Sequence, residues 1–260
     1  MKLSVPETRA IPVSLFEGNF RERVLKAKKA GYQGIEVLTA YPEKIEAEDI
    51  DCLHQNNMPV SAFGTGALYF HRKLSLLSED EAKANMARSA LYRLIDRASK
   101  DGGIITIGSF RGWAKGTPGY EKFIKILVEA SIQAAKVNVR LALEPLNRYE
   151  TNIINNVREG LAFLQTAGMG NLGLVLDTYH MNIEEKDCGA AVEAAGEKLF
   201  HLHLGDSNRL PPGKGHFDFQ SVIKALKAIN YQGYLSAELI SKPDADAAGF
   251  ETAEYFRGVL

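Results

Sequence analysis

Eight short apolar runs, each followed by a helical stretch, constrain this chain more than any other feature. The runs are Leu3–Val5, Gly34–Thr39, Val60–Thr65, Ile104–Ser109, Arg140–Pro145, Leu172–Asp177, Leu199–Gly205 and Tyr234–Ile240. Between them, helical patterns cover Phe20–Ala30, Ala47–Asn56, Glu79–Lys100, Tyr120–Asn138, Asn156–Ala167, Cys188–Ala195 and Gln220–Ile229, and a last one runs from Asp246 to the C-terminus. Strict alternation of strand and helix predicts a parallel sheet, and eight units without a Pro/Ser-rich linker predict a single (β/α)8 TIM barrel over residues 1–260. An open doubly wound sheet would want a Gly-rich phosphate turn after its first strand, and the sequence has none there.

Helix boundaries carry their own signals. Asn19 opens the first helix and Gly31 closes it. Ser78-Glu79-Asp80-Glu81 reads as a capping box, with Asp101-Gly102-Gly103 as the stop. Asn156 with Glu159 reads as another N-terminus, ending at Gly168.

Four polar side chains stand at or near the ends of strands five to eight: Glu144, Asp177, His203 and Glu238. Their spacings of 33, 26 and 35 residues are each about one strand-helix unit. Period-two geometry sets their direction. Leu141 and Leu143 alternate with Ala142 and Glu144. Leu174 and Leu176 oppose Gly173, Val175 and Asp177. Phe200, Leu202 and Leu204 oppose His201 and His203, and Leu235, Ala237 and Leu239 oppose Ser236 and Glu238. In a barrel the bulky aliphatics pack beneath the helices, so the four polar groups are predicted to face the interior at the mouth.

Three carboxylates and one imidazole, with no thiolate, suit a divalent metal. Mn²⁺ is the first expectation, with Mg²⁺, Co²⁺ or Zn²⁺ as alternatives. A cation there would stabilise an enediolate formed beside a ketose carbonyl, and Glu144 and Glu238 would serve as the acid/base pair. His201 reads as interior packing below the site. Gly108-Ser109-Phe110-Arg111-Gly112-Trp113 could line the pocket or plug it structurally.

Lys+Arg number 31 and Asp+Glu 32, so no charge excess points to nucleic acid or an anionic membrane. Cys52 and Cys188 are too few for a disulfide framework. The start, Met1-Lys2-Leu3-Ser4-Val5-Pro6, lacks the apolar core of a signal peptide, and no apolar run reaches membrane-spanning length. The expectation is a cytoplasmic enzyme acting on a small molecule.

Long motifs then carry a resemblance. Glu144-Pro145-Leu146-Asn147-Arg148-Tyr149-Glu150-Thr151-Asn152 and Leu176-Asp177-Thr178-Tyr179-His180-Met181-Asn182-Ile183-Glu184-Glu185 resemble signatures of the D-tagatose/D-psicose (allulose) 3-epimerases, members of the xylose isomerase-like superfamily. His203-Leu204-Gly205-Asp206-Ser207-Asn208-Arg209 and Pro212-Gly213-Lys214-Gly215-His216-Phe217-Asp218 are similar to a third family block. The resemblance implies a metal-dependent ketose 3-epimerase acting on a free ketose or keto sugar acid. Glu144, Asp177, His203 and Glu238 would be the metal ligands, with Glu144 and Glu238 catalytic. Glu150, His180 and Arg209 would bind substrate. Relatives of this kind often form dimers or tetramers, so a homo-oligomer is also implied. The chain departs from the hexulose epimerases at Asn152, where they place an aromatic, which leaves the sugar open. The alternatives are an aldose–ketose isomerase like the hydroxypyruvate isomerases, an apurinic endonuclease on the same barrel, and a non-catalytic sugar-binding barrel. Ser109 stands where the endonuclease would need a histidine.

Overall fold

The short apolar runs form strands, and all of them pair in sequence order. The computed structural model describes residues 1–7 and 15–259. Its strands are β1 (Lys2–Glu7), β2 (Ile35–Leu38), β3 (Val60–Gly64), β4 (Ile104–Ile107), β5 (Leu141–Leu143), β6 (Leu172–Asp177), β7 (Leu199–His203) and β8 (Tyr234–Ser236). Every neighbouring pair is parallel, and β8 returns to β1, so the barrel closes and, among the described residues, leaves no free sheet edge. The helices are α1 (Phe20–Ala30), α2 (Ala47–Gln55), α3 (Gly66–Phe70), α4 (Glu81–Asp101), α5 (Gly116–Ala135), α6 (Val157–Ala167), α7 (Thr178–Glu184), α8 (Cys188–Ala195), α9 (Phe219–Ala228) and α10 (Ala245–Phe256). None of them is long and apolar enough to cross a membrane.

Side-chain caps open α1 and α6 as the sequence predicts. Asn19 and Glu22 exchange hydrogen bonds in a capping box, and Gly31 ends α1 at φ +103°. Asn156 accepts the Glu159 N–H at the start of α6. At α4 the cap is Asp80 instead of Ser78. Its carboxylate accepts the N–H groups of Ala82 and Lys83, and the helix begins two residues later than expected. Two short helices, α3 and α7, fill what the sequence left as loops at the strand ends. The final helix stops at Phe256, and Leu260 lies outside the described residues.

The aliphatic faces pack as parity predicts. Leu141, Leu143, Leu172, Leu174 and Leu235 are fully buried in the large core between sheet and helices. Truncating one of these leucines to alanine typically costs about 2–5 kcal/mol. A second, small cluster fills the barrel interior: Ala62, Ile104, Ala142 and Val175, with Phe200 packed on it.

Phe200 corrects the parity reading, which put it outside with Leu202. The β6–β7 register slips between Leu174 and Val175, so Leu174 pairs Leu199 while Val175 pairs His201. The extra residue on β7 is Phe200, and the bulge sends its ring inward. Gly173 makes the space. A Cβ there would lie 2.6 Å from two ring carbons of Phe200 and 2.7 Å from the Lys198 carbonyl oxygen. Arg140 then lays its guanidinium 4.7 Å from the centre of the Phe200 ring. Gly173→Ala should therefore lose about 1–3 kcal/mol in chemical denaturation, the usual cost of overpacking. An unchanged midpoint would contradict this packing.

Candidate active site

Side chains at or just beyond the ends of β5 to β8 meet at one rim. Glu144 follows β5 directly, Asp177 ends β6, His203 ends β7, and Glu238 stands two residues beyond β8. One donor atom from each lies within 4.8 Å of all the others. His203 Nδ1 is 2.8 Å from Glu238 Oε2 and 3.4 Å from Glu144 Oε1. Asp177 Oδ1 accepts the Tyr179 N–H at 2.8 Å, which caps α7. Its Oδ2 is buried and accepts no hydrogen bond.

Neighbouring loops hold these groups in place. Gly108, after β4, leaves room that a Cβ would take from Glu144 Oε2. Arg111 is fully buried and donates to the carbonyls of Gly108 (3.2 Å), Ile153 (3.1 Å) and Glu144. It is a brace under the β5 end. Ser109 and Trp113, from the same loop, line the cavity.

The three residues expected at the substrate stand around the cluster. Arg209 Nη2 donates to Glu238 Oε1 at 2.7 Å and lies 3.1 Å from Asp177 Oδ2, with its guanidinium 4.9 Å from the centre of the Tyr179 ring. Its backbone is left-handed, φ +58°, which is costly for arginine and needs support. Asp206 supplies that support: its carbonyl accepts the Arg209 N–H, and its carboxylate accepts those of Ser207, Gly213 and Phe217. His180 Nδ1 is 2.8 Å from Asn147 Nδ2. The amide donates, so His180 carries its hydrogen on Nε2, which lies 3.9 Å from both Glu144 Oε1 and Asp177 Oδ2. The same Asn147 nitrogen donates to Glu150 Oε1 at 3.2 Å.

Three contributors were not singled out from the sequence: Asn147, Asp206 and Glu36. Glu36 was visible as a lone charge inside Gly34-Ile35-Glu36-Val37-Leu38, an otherwise apolar strand. Asn147 and Asp206 stood inside recognised motifs with no signal separating them from their neighbours.

Electrostatics favour a cation here. Burial pushes the Asp177 carboxyl up, and nearby Glu238 and Glu144 push it further, against the pull of Arg209. Burial also raises Glu150, aided by Glu144 and Glu238 and opposed by Arg209. Burial opposes charge on Glu238 too, but His203 and Arg209 outweigh it and hold that carboxyl low. Burial works against a charged His203, yet Glu36 and Glu238 lift it well above the ordinary imidazole range. His180 is pushed well below that range by burial and by Arg209, which leaves it neutral. Three carboxylates and an imidazole, with Asp177 Oδ2 buried and accepting no hydrogen bond, make a donor set that fits a hard or borderline divalent ion.

The cluster opens into a cavity of about 540 Å³ whose upper wall includes Leu38, Tyr69, Phe70, Trp113, Leu146 and Tyr149. Residues 24–258 match the family model described as the xylose isomerase-like TIM barrel. The chain belongs to that family. An L-ribulose 3-epimerase of Methylomonas sp. is 34% identical over 232 residues, 87% of this chain and 80% of that protein. A ketose 3-epimerase of Arthrobacter globiformis is 31% identical over 228 residues, 85% of this chain and 78% of that protein. The crystal structure of a D-allulose 3-epimerase from Methylomonas sp. in complex with D-allulose has a TM-score of 0.84 at 28% identity, covering 100% of this chain and 97% of that one. As a member of the family with these relatives, the chain is an enzyme of the isomerase class.

Proposed function

We propose that this chain is a divalent-metal-dependent ketose 3-epimerase. The observation that carries the reading is the meeting of Glu144, Asp177, His203 and Glu238 at one mouth, two of them glutamates from strands three places apart around the barrel. The names of the relatives point the same way.

Glu144, Asp177, His203 and Glu238 would hold the ion, Mn²⁺ first among the candidates. When bound, it supplies Lewis-acid stabilisation of the negative charge that develops on the substrate oxygens. The rest falls to side chains. One glutamate takes the proton from C3 of the ketose. The electron pair of that C–H bond forms the C2–C3 double bond, and charge moves to the C2 oxygen. The other glutamate returns a proton to C3 from the opposite face, which inverts that carbon. His180, neutral with its hydrogen on Nε2, donates to a substrate oxygen without adding a charge. Arg209 donates to the carbonyl end, and Glu150 accepts from a hydroxyl. The apolar and aromatic wall covers the C–H faces of the sugar and excludes water.

Arg209→Ala removes a donor and leaves all four ligands. Its kcat/KM should fall by about 10–100-fold, the loss of a charged hydrogen bond, with metal content unchanged by elemental analysis. Loss of the ion would contradict the assignment. The function itself is tested by incubating metal-loaded protein with a panel of ketoses and resolving the products chromatographically. C3 epimers are expected, and aldoses alone would replace this reading with an aldose–ketose isomerase.

A further inference from the structure

Beneath the carboxylate cluster, Glu36 of β2 is fully buried between two imidazoles. Its Oε2 lies 3.2 Å from His201 Nε2, and its Oε1 lies 3.2 Å from His203 Nε2. Thr106 also donates its hydroxyl to Oε1, at 3.4 Å. The two rings stand perpendicular, at 88°, with centroids 5.3 Å apart. An ionised carboxylate only accepts hydrogen bonds, so both facing ring nitrogens must carry hydrogen. A His203 ring with its hydrogen on Nε2 turns its Nδ1 toward Glu144 and Glu238, into the cluster.

Backbone irregularities occur where this arrangement needs them. The β2–β3 register slips between Ile35 and Glu36, and the β7 bulge at Phe200 immediately precedes His201. Bulges re-aim side chains beside active sites. The β7 bulge lies on the strand that carries both histidines, while the extra residue of the β2–β3 slip is Ser61 on β3, opposite Glu36.

We propose that Glu36 is a positioning residue for the metal centre. It fixes His203 in the Nε2–H tautomer with the Nδ1 lone pair aimed at the cation, and His201 anchors the carboxylate from the other side. Carboxylates that accept the remote N–H of a metal-binding histidine orient the ring and raise its basicity. The inference rests on the metal-centre reading above. The three donors could also hold an ion of their own, since they too lie within 4.8 Å of one another. Hydrogen-bond spacing between them already accounts for the geometry, and stoichiometry separates the two.

The test uses the full chain loaded with Mg²⁺, a diamagnetic probe. Calorimetric titration should show one ion per chain, and ¹⁵N NMR of the histidines should show hydrogen on Nε2 of both His201 and His203. Glu36→Leu removes the acceptor and should weaken Mg²⁺ by about 10- to 100-fold. Glu36→Gln should restore most of that affinity. Its amide oxygen still accepts from His203, while its NH2 group faces His201 and drives that ring to the Nδ1–H tautomer. A residue that only filled space would not shift the His201 tautomer while sparing that of His203. If Glu36→Leu does not fold, the tautomer pair in the wild type and in Glu36→Gln still decides. Hydrogen on Nδ1 of His203, wild-type affinity in Glu36→Leu, or a second ion lost with Glu36 would each overturn the inference. A wild-type chain that takes up no divalent ion would overturn the metal centre and this inference together.

Discussion

Glutamine at position 144 or at position 238 should cut turnover by about 10²–10⁴-fold, the range expected for removing one general acid or base. The change is close to isosteric, so folding should be preserved and the loss chemical. Glu144 and Glu238 both approach His203 Nδ1, at 3.4 and 2.8 Å, so each is close enough to share the ion and also reach substrate. Glutamine loses ligand charge and proton acceptance together. Single-turnover rates with saturating metal separate these losses: if excess metal restores the rate, the residue served only as a ligand. The two variants should also differ in solvent exchange. The one that keeps the abstracting glutamate should still wash deuterium into C3 of one epimer while failing to complete inversion. Identical residual exchange from both epimers in both variants would contradict a two-base scheme.

Chelation should abolish activity and lower thermal stability together. An ion that binds only the folded chain stabilises it by about 4 kcal/mol at a thousandfold excess over Kd. Its loss also leaves Asp177, Glu144 and Glu238 facing one another, with Arg209 and His203 left to offset Asp177 and Glu238. Binding should weaken as pH falls. His203 is held well above its usual range when the site is metal-free, with Glu36 and Glu238 lifting it against burial. Ligation needs Nδ1 without its hydrogen, so metal loading must release a proton. Calorimetry in two buffers of different ionisation enthalpy would count it. Activity that survives exhaustive chelation, with no shift in melting temperature, would remove the metal from the account.

Much of this was legible from parity. On β5 and β6 the alternation of Leu141, Leu143, Leu174 and Leu176 with small or acidic residues is regular, and those strands carry Glu144 and Asp177 to the rim as predicted. On β7 the same reasoning failed for Phe200, because a one-residue bulge leaves no mark in the alternation and shows only when the strand is paired with β6. Glu36 was hidden for a different reason. A lone acid in an apolar strand announces a buried charge but not its partners, and His201 and His203 lie 165 and 167 positions away. Asn147 acquires its role only once α7 turns His180 back over the β5 end. Asp80 displaced Ser78 as a cap because several side chains in a row could accept the same N–H groups, and local sequence does not choose between them.

The most direct measurement of the central claim is proton exchange in D₂O, followed by NMR on a ketose incubated with the metal-loaded chain. If acidic groups around one ion act on the carbon next to the carbonyl, deuterium enters C3 and the C3 epimer accumulates with label at that carbon. Deuterium confined to C1, or none anywhere with substrate bound, would contradict it.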